Sequence, residues 1–128
     1  MVEKVKTIVD DRGTLSVVDF KEFPFIPKRF FYVYDSIRER GGHAHYKTEQ
    51  LFVCFHGYCI IILDNGKTKK KYMLDSPDKV LYVPEMVWDS QVYGKDAVLG
   101  VFASTLYDKD DYIYDYEEFI DACNTNKR

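Results

Sequence analysis

The chain has 128 residues, a net charge of −3, 46% hydrophobic residues and 30% charged residues, which is the balance of a folded domain rather than a disordered chain. A net negative charge argues against a general surface for nucleic acid or anionic membranes, but it permits a local basic pocket for one anionic ligand. No segment approaches the roughly 20 apolar residues of a membrane span, and the N-terminal MVEKVKTIVDDRG lacks an apolar signal core. We expect one soluble domain over residues 1–128.

The three cysteines, Cys54, Cys59 and Cys123, form no CxxC pair. Cys54 and Cys59 lie in apolar, strand-like segments, where a reduced thiol behaves as a small hydrophobic side chain. Structural free thiols and a cytoplasmic location are therefore expected.

Short alternating segments dominate the chain. Strands are predicted over 14–20, 28–35, 51–55, 58–63, roughly 67–74 and 80–83, and two more lie within 90–104, joined at Gly94-Lys95. Asp64-Asn65-Gly66 is a strong tight-turn signal. Lys67, Lys69 and Lys71 alternate, which favours a solvated sheet edge over a binding stripe. The spacing of strands and turns predicts an antiparallel sandwich or barrel.

The C-terminal segment departs from this strand pattern. Asp115 is suited to cap a helix of about residues 115–123, whose first turn carries Glu117 and Glu118. Phe119, Ile120 and Cys123 give that helix an apolar stripe, whereas residues 124–128 are expected to fray. The predicted fold is all-β with a short C-terminal helix, and a small ligand is expected in the open end of the barrel.

Residues 40–50 read RGGHAHYKTEQ and carry the clearest chemical signal. On a strand His43 and His45 face the same way, with Ala44 turned away and Cα atoms roughly 6.6 Å apart. Such a pair can hold a metal or move protons, because imidazole titrates near neutrality. His56, next to a turn glycine, is expected to be structural or exposed.

The histidine pair resembles the first metal-binding motif of the cupin superfamily, but two ligands are altered. Gln50 stands where that motif has a glutamate, and Glu49 is one residue out of register and would face the other side of the strand. Asp89 stands where the second motif has a histidine. Two imidazoles without an in-register carboxylate make a weak divalent site. No bound metal is predicted, and proton chemistry is favoured.

A closer resemblance covers nearly the whole chain. The segments DRGTL, PFIPKRFFYVYD, RGGHAHYKTEQLFVCFHG, LDNG, LYVPEMVW, ASTLYDKDDYI and YEEF occur in order. Together they resemble the nucleotide-sugar 3,4-ketoisomerases, which are small, metal-independent, dimeric cupins. The resemblance implies a cupin (jelly-roll) barrel that needs no cofactor and converts dTDP-4-keto-6-deoxyglucose to a dTDP-3-keto-6-deoxyhexose. Downstream transamination leads to amino sugars of bacterial surface polysaccharides or natural products.

By this resemblance His43 and His45 are the acid/base pair. Moving the ketone from carbon 4 to carbon 3 requires proton transfers at both carbons and both oxygens through an enediol, by groups that titrate near pH 7. Which histidine serves carbon and which serves oxygen is left open by the sequence.

The same resemblance suggests substrate-binding residues, each with a structural alternative. Arg40, and after it Arg29, suit the pyrophosphate through bidentate hydrogen bonds, or else form surface ion pairs. Gln50 could bind sugar oxygens. Tyr34 and Trp88 could line the pocket or pack in the core.

Arg12 precedes Gly13 in the loop that opens the first predicted strand and by resemblance approaches the pocket. A long cation there would shape the face from which carbon 4 is protonated, which favours the galacto product. The alternative is a solvated arginine in a turn.

Two other functions remain open, a metal-free nucleotide-sugar 3,5-epimerase and a non-catalytic sugar- or metal-binding cupin. The epimerases are longer and pair a histidine with an aspartate and a tyrosine. A homodimer is expected from the family, with the N-terminal strands exchanged between subunits as one arrangement.

Overall fold

The computed structural model describes residues 2–37 and 40–125. Within these ranges the chain forms short strands, one 3-10 turn at Lys109–Asp111 and one helix, α1, at Tyr116–Thr125. The strands are β1 Val2–Lys4, β2 Lys6–Asp10, β3 Gly13–Val17, β4 Arg29–Val33, β5 Arg40–His45, β6 Gln50–His56, β7 Cys59–Asp64, β8 Lys69–Leu74, β9 Lys79–Val83, β10 Trp88–Tyr93, β11 Val98–Ala103 and β12 Tyr112–Ile113. The predicted class, all-β with a short C-terminal helix, is confirmed.

Two five-stranded sheets face each other. The first has the order β1-β9-β6-β11-β4 and the second β12-β5-β10-β7-β8, while β2 and β3 form a separate hairpin. The strand pairs are antiparallel. Because successive side chains alternate between faces, every second residue of each strand points into the space between the sheets.

The sheets are held together by an apolar core at one end of that space. Its largest fully buried side chains include Phe52, Ile61, Leu74, Leu81 and Leu99. Burying each such side chain contributes roughly 1.5–3 kcal/mol. This packed half fixes the two sheets, so that side chains at the other end are carried on rigid strands.

Helix α1 closes the second sheet from outside, as its apolar stripe predicts. The Asp115 carboxylate accepts a hydrogen bond from the Glu117 backbone N–H at 3.0 Å, which caps the helix. Phe119 is fully buried against Ala44 and Ile113, with Ile120 and Cys123 beside it.

The prediction that residues 124 and 125 fray is wrong. Both are helical, and the Thr125 hydroxyl donates to the Asp121 carbonyl oxygen at 3.0 Å, which extends the last turn. Residues 126–128 lie outside the described part of the chain.

Two strand predictions need correction, and two strands were not predicted. The strand predicted over 28–35 ends at Val33, before Asp35 adopts a positive φ of 56°. The one predicted over 14–20 spans Gly13–Val17, and the predicted turn before it closes a hairpin with the unpredicted β2. The unpredicted β1 is ordered by pairing with β9. Short polar segments carry too little periodicity to reveal such pairing.

The lysine-rich strand β8 is an edge strand, as expected. Lys69 and Lys71 are exposed there, as is Lys67 in the preceding turn. Charged side chains on an edge discourage pairing with another chain.

Among the described residues, no helix is long and apolar enough to cross a membrane.

Candidate active site

Strand β5 presents the two histidines on the inner face of the second sheet. The His43 and His45 rings lie 5.2 Å apart between centroids and nearly perpendicular, at 87°. Ala44 is fully buried on the opposite face, against the helix side of the sheet. Gly42, just before His43, has φ +72°, a conformation that favours glycine and that allows the register shift between β5 and β10. The predicted shared orientation of the pair is confirmed.

A cavity of about 440 Å³ lies between the two sheets beside the histidine pair. The first sheet contributes alternate residues of β4, β6 and β11, and the second contributes β5, β10 and the segment around β12. The lining residues are Phe31, Val33, Arg40, His43, Gln50, Phe52, Gln91, Leu99, Val101, Tyr112 and Tyr114. Its size and its mixed apolar and polar wall suit part of a small ligand.

His45 lies one layer behind the cavity wall and is held by a carboxylate. Its side chain is 3% exposed, and its Nδ1 lies 3.0 Å from Oδ2 of Asp111. Burial lowers the pKa of His45, with Asp111 opposing that shift and the Arg29 cation adding to it. The imidazole is therefore kept neutral near pH 7, which is the form that accepts a proton.

His43 lies at the wall itself and faces a second carboxylate. Its Nε2 is 3.9 Å from Oδ2 of Asp89, its opposite neighbour across the β5–β10 ladder, and its side chain is 19% exposed. That distance is too long for a hydrogen bond. The two histidines thus have carboxylate partners on different elements and at different distances.

Asp89 is buried at the end of a hydrogen-bonded chain. Gln91 Nε2 donates to Asp89 Oδ1 at 2.6 Å, and the Tyr93 hydroxyl donates to Gln91 Oε1 at 2.9 Å. Burial raises the pKa of Asp89 to about 7, although the Gln91 amide opposes the shift. Asp89 is therefore a group that changes charge near neutrality beside His43.

Two tyrosines line the cavity, and Tyr112 lies on β12, on the other side of β5 from Asp89. Tyr112 and Tyr114 are stacked, with centroids 5.5 Å apart and planes at 9°. The Tyr112 ring lies 4.4 Å from the His45 ring and 5.4 Å from the His43 ring. Burial raises the pKa of Tyr114, so it stays a neutral hydroxyl that can donate or accept hydrogen bonds.

Three of the predicted substrate-binding residues lie at or next to the cavity. Arg40 and Gln50 line it, with Gln50 only 3% exposed. Arg29 lies next to it, with Nη1 3.4 Å from the Tyr112 hydroxyl and its guanidinium over the rings of Phe31 and Tyr107. The Arg29 Nε is buried without a hydrogen-bond partner. Glu49, as expected, points away and accepts from Tyr82.

The other three predicted residues lie elsewhere in this chain. Tyr34 stacks on Tyr32 on the outer face of the first sheet. Trp88 projects from the outer face of β10 and packs against Tyr116 and Phe119, which is the packing alternative. Arg12 is exposed at the β2–β3 hairpin and pairs with Asp10 at 2.7 Å, which is the solvated alternative.

Sequence reasoning missed Asp111, Tyr112, Tyr114 and Gln91, and it treated Asp89 only as a replaced ligand. One available signal was the alternation of Tyr112 and Tyr114, which matches that of the histidines and places both side chains on one face. The approach of Asp111 to His45 spans 66 positions and follows from the pairing of β12 with β5.

Within residues 2–37 and 40–125, no group of three or more histidine, cysteine, aspartate or glutamate side chains is placed to hold a metal ion. Gln50 is a neutral amide at the position where the cupin motif has its carboxylate, and one ring nitrogen of His45 already binds Asp111.

Comparison with known proteins gives one family. Residues 1–124 match the family described as FdtA: WxcM-like, C-terminal. A curated relative, TDP-4-oxo-6-deoxy-alpha-D-glucose-3,4-oxoisomerase of Aneurinibacillus thermoaerophilus, is 43% identical over 118 residues, which cover 89% of this chain and 85% of the relative.

Two similar solved structures come from Campylobacter jejuni. WlaRA, a TDP-fucose-3,4-ketoisomerase, is 38% identical with a TM-score of 0.89, covering 98% of this chain and 96% of its own. WlaRB, a TDP-quinovose 3,4-ketoisomerase, is 37% identical with a TM-score of 0.89, covering 94% and 96%. The predicted resemblance to the 3,4-ketoisomerases and their cupin barrel is thereby confirmed.

Proposed function

Because the chain belongs to the FdtA family (WxcM-like, C-terminal), we propose that it is a sugar-nucleotide 3,4-ketoisomerase. Its substrate is dTDP-4-keto-6-deoxyglucose and its product a dTDP-3-keto-6-deoxyhexose, formed through an enediol without a metal. The substrate assignment is supported by the name of the curated relative at 43% identity.

The observation that carries the proposal is the histidine pair beside the cavity, with His43 in its wall and His45 next to His43. Ketoisomerisation needs one group that takes the carbon 3 proton while another gives a proton to the carbon 4 oxygen. The same groups then deliver a proton to carbon 4 and remove one from the carbon 3 oxygen. His43 and His45, with ring centroids 5.2 Å apart, supply two such groups on one face. Asp89 Oδ2 lies 3.9 Å from His43 Nε2, and the Tyr112 ring lies 4.4 Å from the His45 ring.

The nucleotide end of the substrate is anionic, and the cations near the cavity suit it. Arg40 lines the cavity and is the first choice for the pyrophosphate. Arg29 has a buried Nε without a partner, which an anionic oxygen would satisfy. Gln50 is placed to bind sugar oxygens in the enclosed part of the cavity.

For the product, we propose the galacto configuration. Similarity does not decide it, since the fucose-type and quinovose-type relatives are 38% and 37% identical. Arg12 can act on the configuration only if its hairpin lies against another subunit, because it does not line the cavity of its own chain.

The direct test is proton NMR of dTDP-4-keto-6-deoxyglucose incubated with the purified protein. A 3-keto-6-deoxyhexose spectrum is expected, and the coupling between protons 4 and 5 distinguishes galacto from gluco. A substrate spectrum identical to the enzyme-free sample would refute the proposed activity.

A homodimer is the second part of the proposal. The outer face of the first sheet carries a continuous group of exposed aromatic rings, which we call the outer aromatic face. Its members are Phe20, Phe30, Tyr32, Tyr34 and Phe55, each at least 43% exposed. Monomers rarely expose apolar patches of that kind. The β2–β3 hairpin lies next to this face and exposes Val9 and Leu15 as well, which suits exchange of N-terminal strands.

The dimer is tested by sedimentation of Tyr32→Glu beside a matched control, Met73→Glu, on the exposed edge strand β8. The Tyr32 variant is expected to sediment as a monomer and the Met73 variant as a dimer. A monomeric wild-type protein would refute the dimer without affecting the proposed activity.

A cytoplasmic location completes the proposal. Cys54, Cys59 and Cys123 are free thiols, which suits a reducing compartment.

A further inference from the structure

His45 is held at one ring nitrogen only. Its Nδ1 lies 3.0 Å from Asp111 Oδ2, while its Nε2 is buried without a hydrogen-bond partner. An ionised carboxylate only accepts hydrogen bonds, so Nδ1 carries the proton and Nε2 keeps a lone pair. That nitrogen belongs to a ring that contacts His43 and Tyr112, both of which line the cavity.

The Asp111 carboxylate is itself fixed from two other directions. Its Oδ1 accepts the Lys47 backbone N–H at 2.8 Å, and its Oδ2 accepts the Thr48 hydroxyl. Thr48 is held in turn by the Thr105 hydroxyl at 2.7 Å. The Tyr46 backbone N–H donates to the Asp111 carbonyl oxygen at 3.0 Å. Donors from every side suit an ionised carboxylate.

We propose that Asp111 is a positioning residue for the ketoisomerase reaction, which holds His45 in the tautomer whose Nε2 accepts a proton. The inference rests on the proposed function and assigns a role to a residue that does not itself line the cavity. When Nε2 takes a proton, from the sugar or from His43, the Nδ1 proton stays in place in its hydrogen bond to Asp111. The imidazolium that forms is then stabilised by the adjacent negative charge.

The charged and titratable groups around His45 are consistent with this role. Asp111 lies on the 3-10 turn, Arg29 on β4, Tyr112 on β12 and His43 on the same strand, β5. Burial and the Arg29 cation lower the pKa of His45, and Asp111 raises it. The first two effects keep the ring neutral at rest, and the carboxylate limits the cost of charging it during turnover.

The test compares Asp111→Asn with Asp108→Asn. An asparagine can donate to Nδ1 and so favours the tautomer with a proton on Nε2. We expect kcat to fall about 10²–10⁴-fold, as expected for a histidine held in the wrong tautomer, with KM within about threefold. Asp108 is an exposed residue of the same turn that pairs with Lys47, and its variant should retain activity.

The tautomer itself is measured by ¹⁵N NMR of histidine-labelled protein. Wild type is expected to show His45 protonated at Nδ1 and not at Nε2, and Asp111→Asn the reverse. A merely structural role for Asp111 would alter melting but not the tautomer. A folded Asp111→Asn variant with near-normal kcat, or wild type protonated at Nε2, would overturn the inference.

A second variant guards against misfolding of Asp111→Asn. Thr48→Val removes one hydrogen-bond donor to the Asp111 carboxylate and keeps the side-chain shape. We expect a smaller loss of kcat than in Asp111→Asn and a mixture of the two His45 tautomers. Full activity with an unchanged tautomer would contradict the fixed-carboxylate part of the argument. If wild type makes no 3-keto product, the proposed function fails, whereas the tautomer is still measured in wild-type protein.

Discussion

The two histidines of β5 differ more than their shared face suggests. His45 is 3% exposed and lies 3.0 Å from a carboxylate that is fixed by other donors. The His43 side chain is 19% exposed and lines the cavity. Its Nε2 lies 3.9 Å from Asp89 Oδ2, a buried oxygen without a hydrogen-bond partner. His45 is thus held by Asp111, whereas His43 lines the cavity beside a carboxyl group whose pKa burial raises to about 7.

In the proposed reaction, this contrast gives one strand two proton-transfer groups with different surroundings. The pKa of His45 is lowered by burial, and the tautomer proposed for it leaves Nε2 unprotonated, which together suit a group that starts as a base. His43 instead lies 3.9 Å from Asp89, a carboxyl group whose pKa burial raises to about 7. Enzymes commonly divide acid and base roles between two titratable groups by giving them surroundings that shift their pKa values apart.

The largest expected effect comes from removing either ring. His43→Asn and His45→Asn should each lower kcat by roughly 10²–10⁴-fold, the size of a general acid–base contribution. The matched control is His56→Asn, which should retain kcat within about twofold. In wild type the His56 ring lies 3.0 Å from the Asp96 carbonyl oxygen at the β10–β11 turn and does not line the cavity. Loss of activity in the control, or retention in both site variants, would contradict the assignment.

Asp89→Asn should have a smaller effect on kcat, about tenfold, but should change its pH dependence. Asp89 in wild type ionises near pH 7 beside His43, so the rate is expected to change with an apparent pKa near 7. In the asparagine variant this change of rate with pH should disappear. An unaltered pH–rate profile in the variant would separate Asp89 from the reaction.

The same substitution should change stability with pH. Because burial raises the folded pKa of Asp89 above its unfolded value of 3.8, the folded state binds the proton more tightly than the unfolded state. Its contribution is full below about pH 4 and is lost as pH rises through about 7, by at most about 4 kcal/mol. Asp89→Asn should therefore show a flatter free energy of unfolding between pH 5 and 9.

Urea unfolding at several pH values measures that difference. Asp96→Asn is the control, since Asp96 is exposed in the β10–β11 turn and asparagine tolerates its positive φ. Equal pH slopes for wild type and Asp89→Asn would mean that Asp89 is ionised throughout this range.

Variants of two residues near the histidines should distinguish a role in substrate binding from a role in packing. Arg40→Ala should raise KM about tenfold, the loss of a charge-assisted hydrogen bond to the substrate, with little change in stability. Trp88→Ala should destabilise the protein through lost contact with Phe119, by less than the roughly 3–5 kcal/mol of a core tryptophan because Trp88 is only half-buried, and should leave kcat nearly unchanged. Steady-state kinetics and urea unfolding distinguish the two, and the reverse pattern would place Trp88 in the cavity.

The smallest expected effect is that of chelation. Gln50 offers no carboxylate to a divalent ion, and Asp111 occupies one nitrogen of His45, so EDTA treatment followed by gel filtration should leave kcat within about twofold. A loss of activity restored by added Zn²⁺, Fe²⁺ or Mn²⁺ would contradict the proton-transfer account.

The sequence predicted the features that depend on local periodicity. The shared face of His43 and His45 follows from strand alternation, and the cap at Asp115 from helix-end chemistry. Gln50, which the cupin resemblance put at the position of the missing metal ligand, lines the cavity.

Features that depend on pairing between distant segments were not predictable in the same way. Asp111 reaches His45 only because β12 pairs with β5. The Trp88 side chain lies on the outer face of β10 because its neighbour Asp89 faces inward. The sequence alone left two roles open for this tryptophan, lining the pocket or packing. The pKa of Asp89 depends on burial, which one sequence does not specify residue by residue.

The most direct test of the account is the position of deuterium after turnover in deuterium oxide. Wild-type protein, freed of metal and incubated with dTDP-4-keto-6-deoxyglucose, should give a 3-keto-6-deoxyhexose with deuterium at carbon 4. His43→Asn and His45→Asn, measured at equal concentration, should show little or none. Deuterium at carbon 5 instead would indicate an epimerase, and unchanged substrate with wild-type protein would contradict ketoisomerisation by this histidine pair.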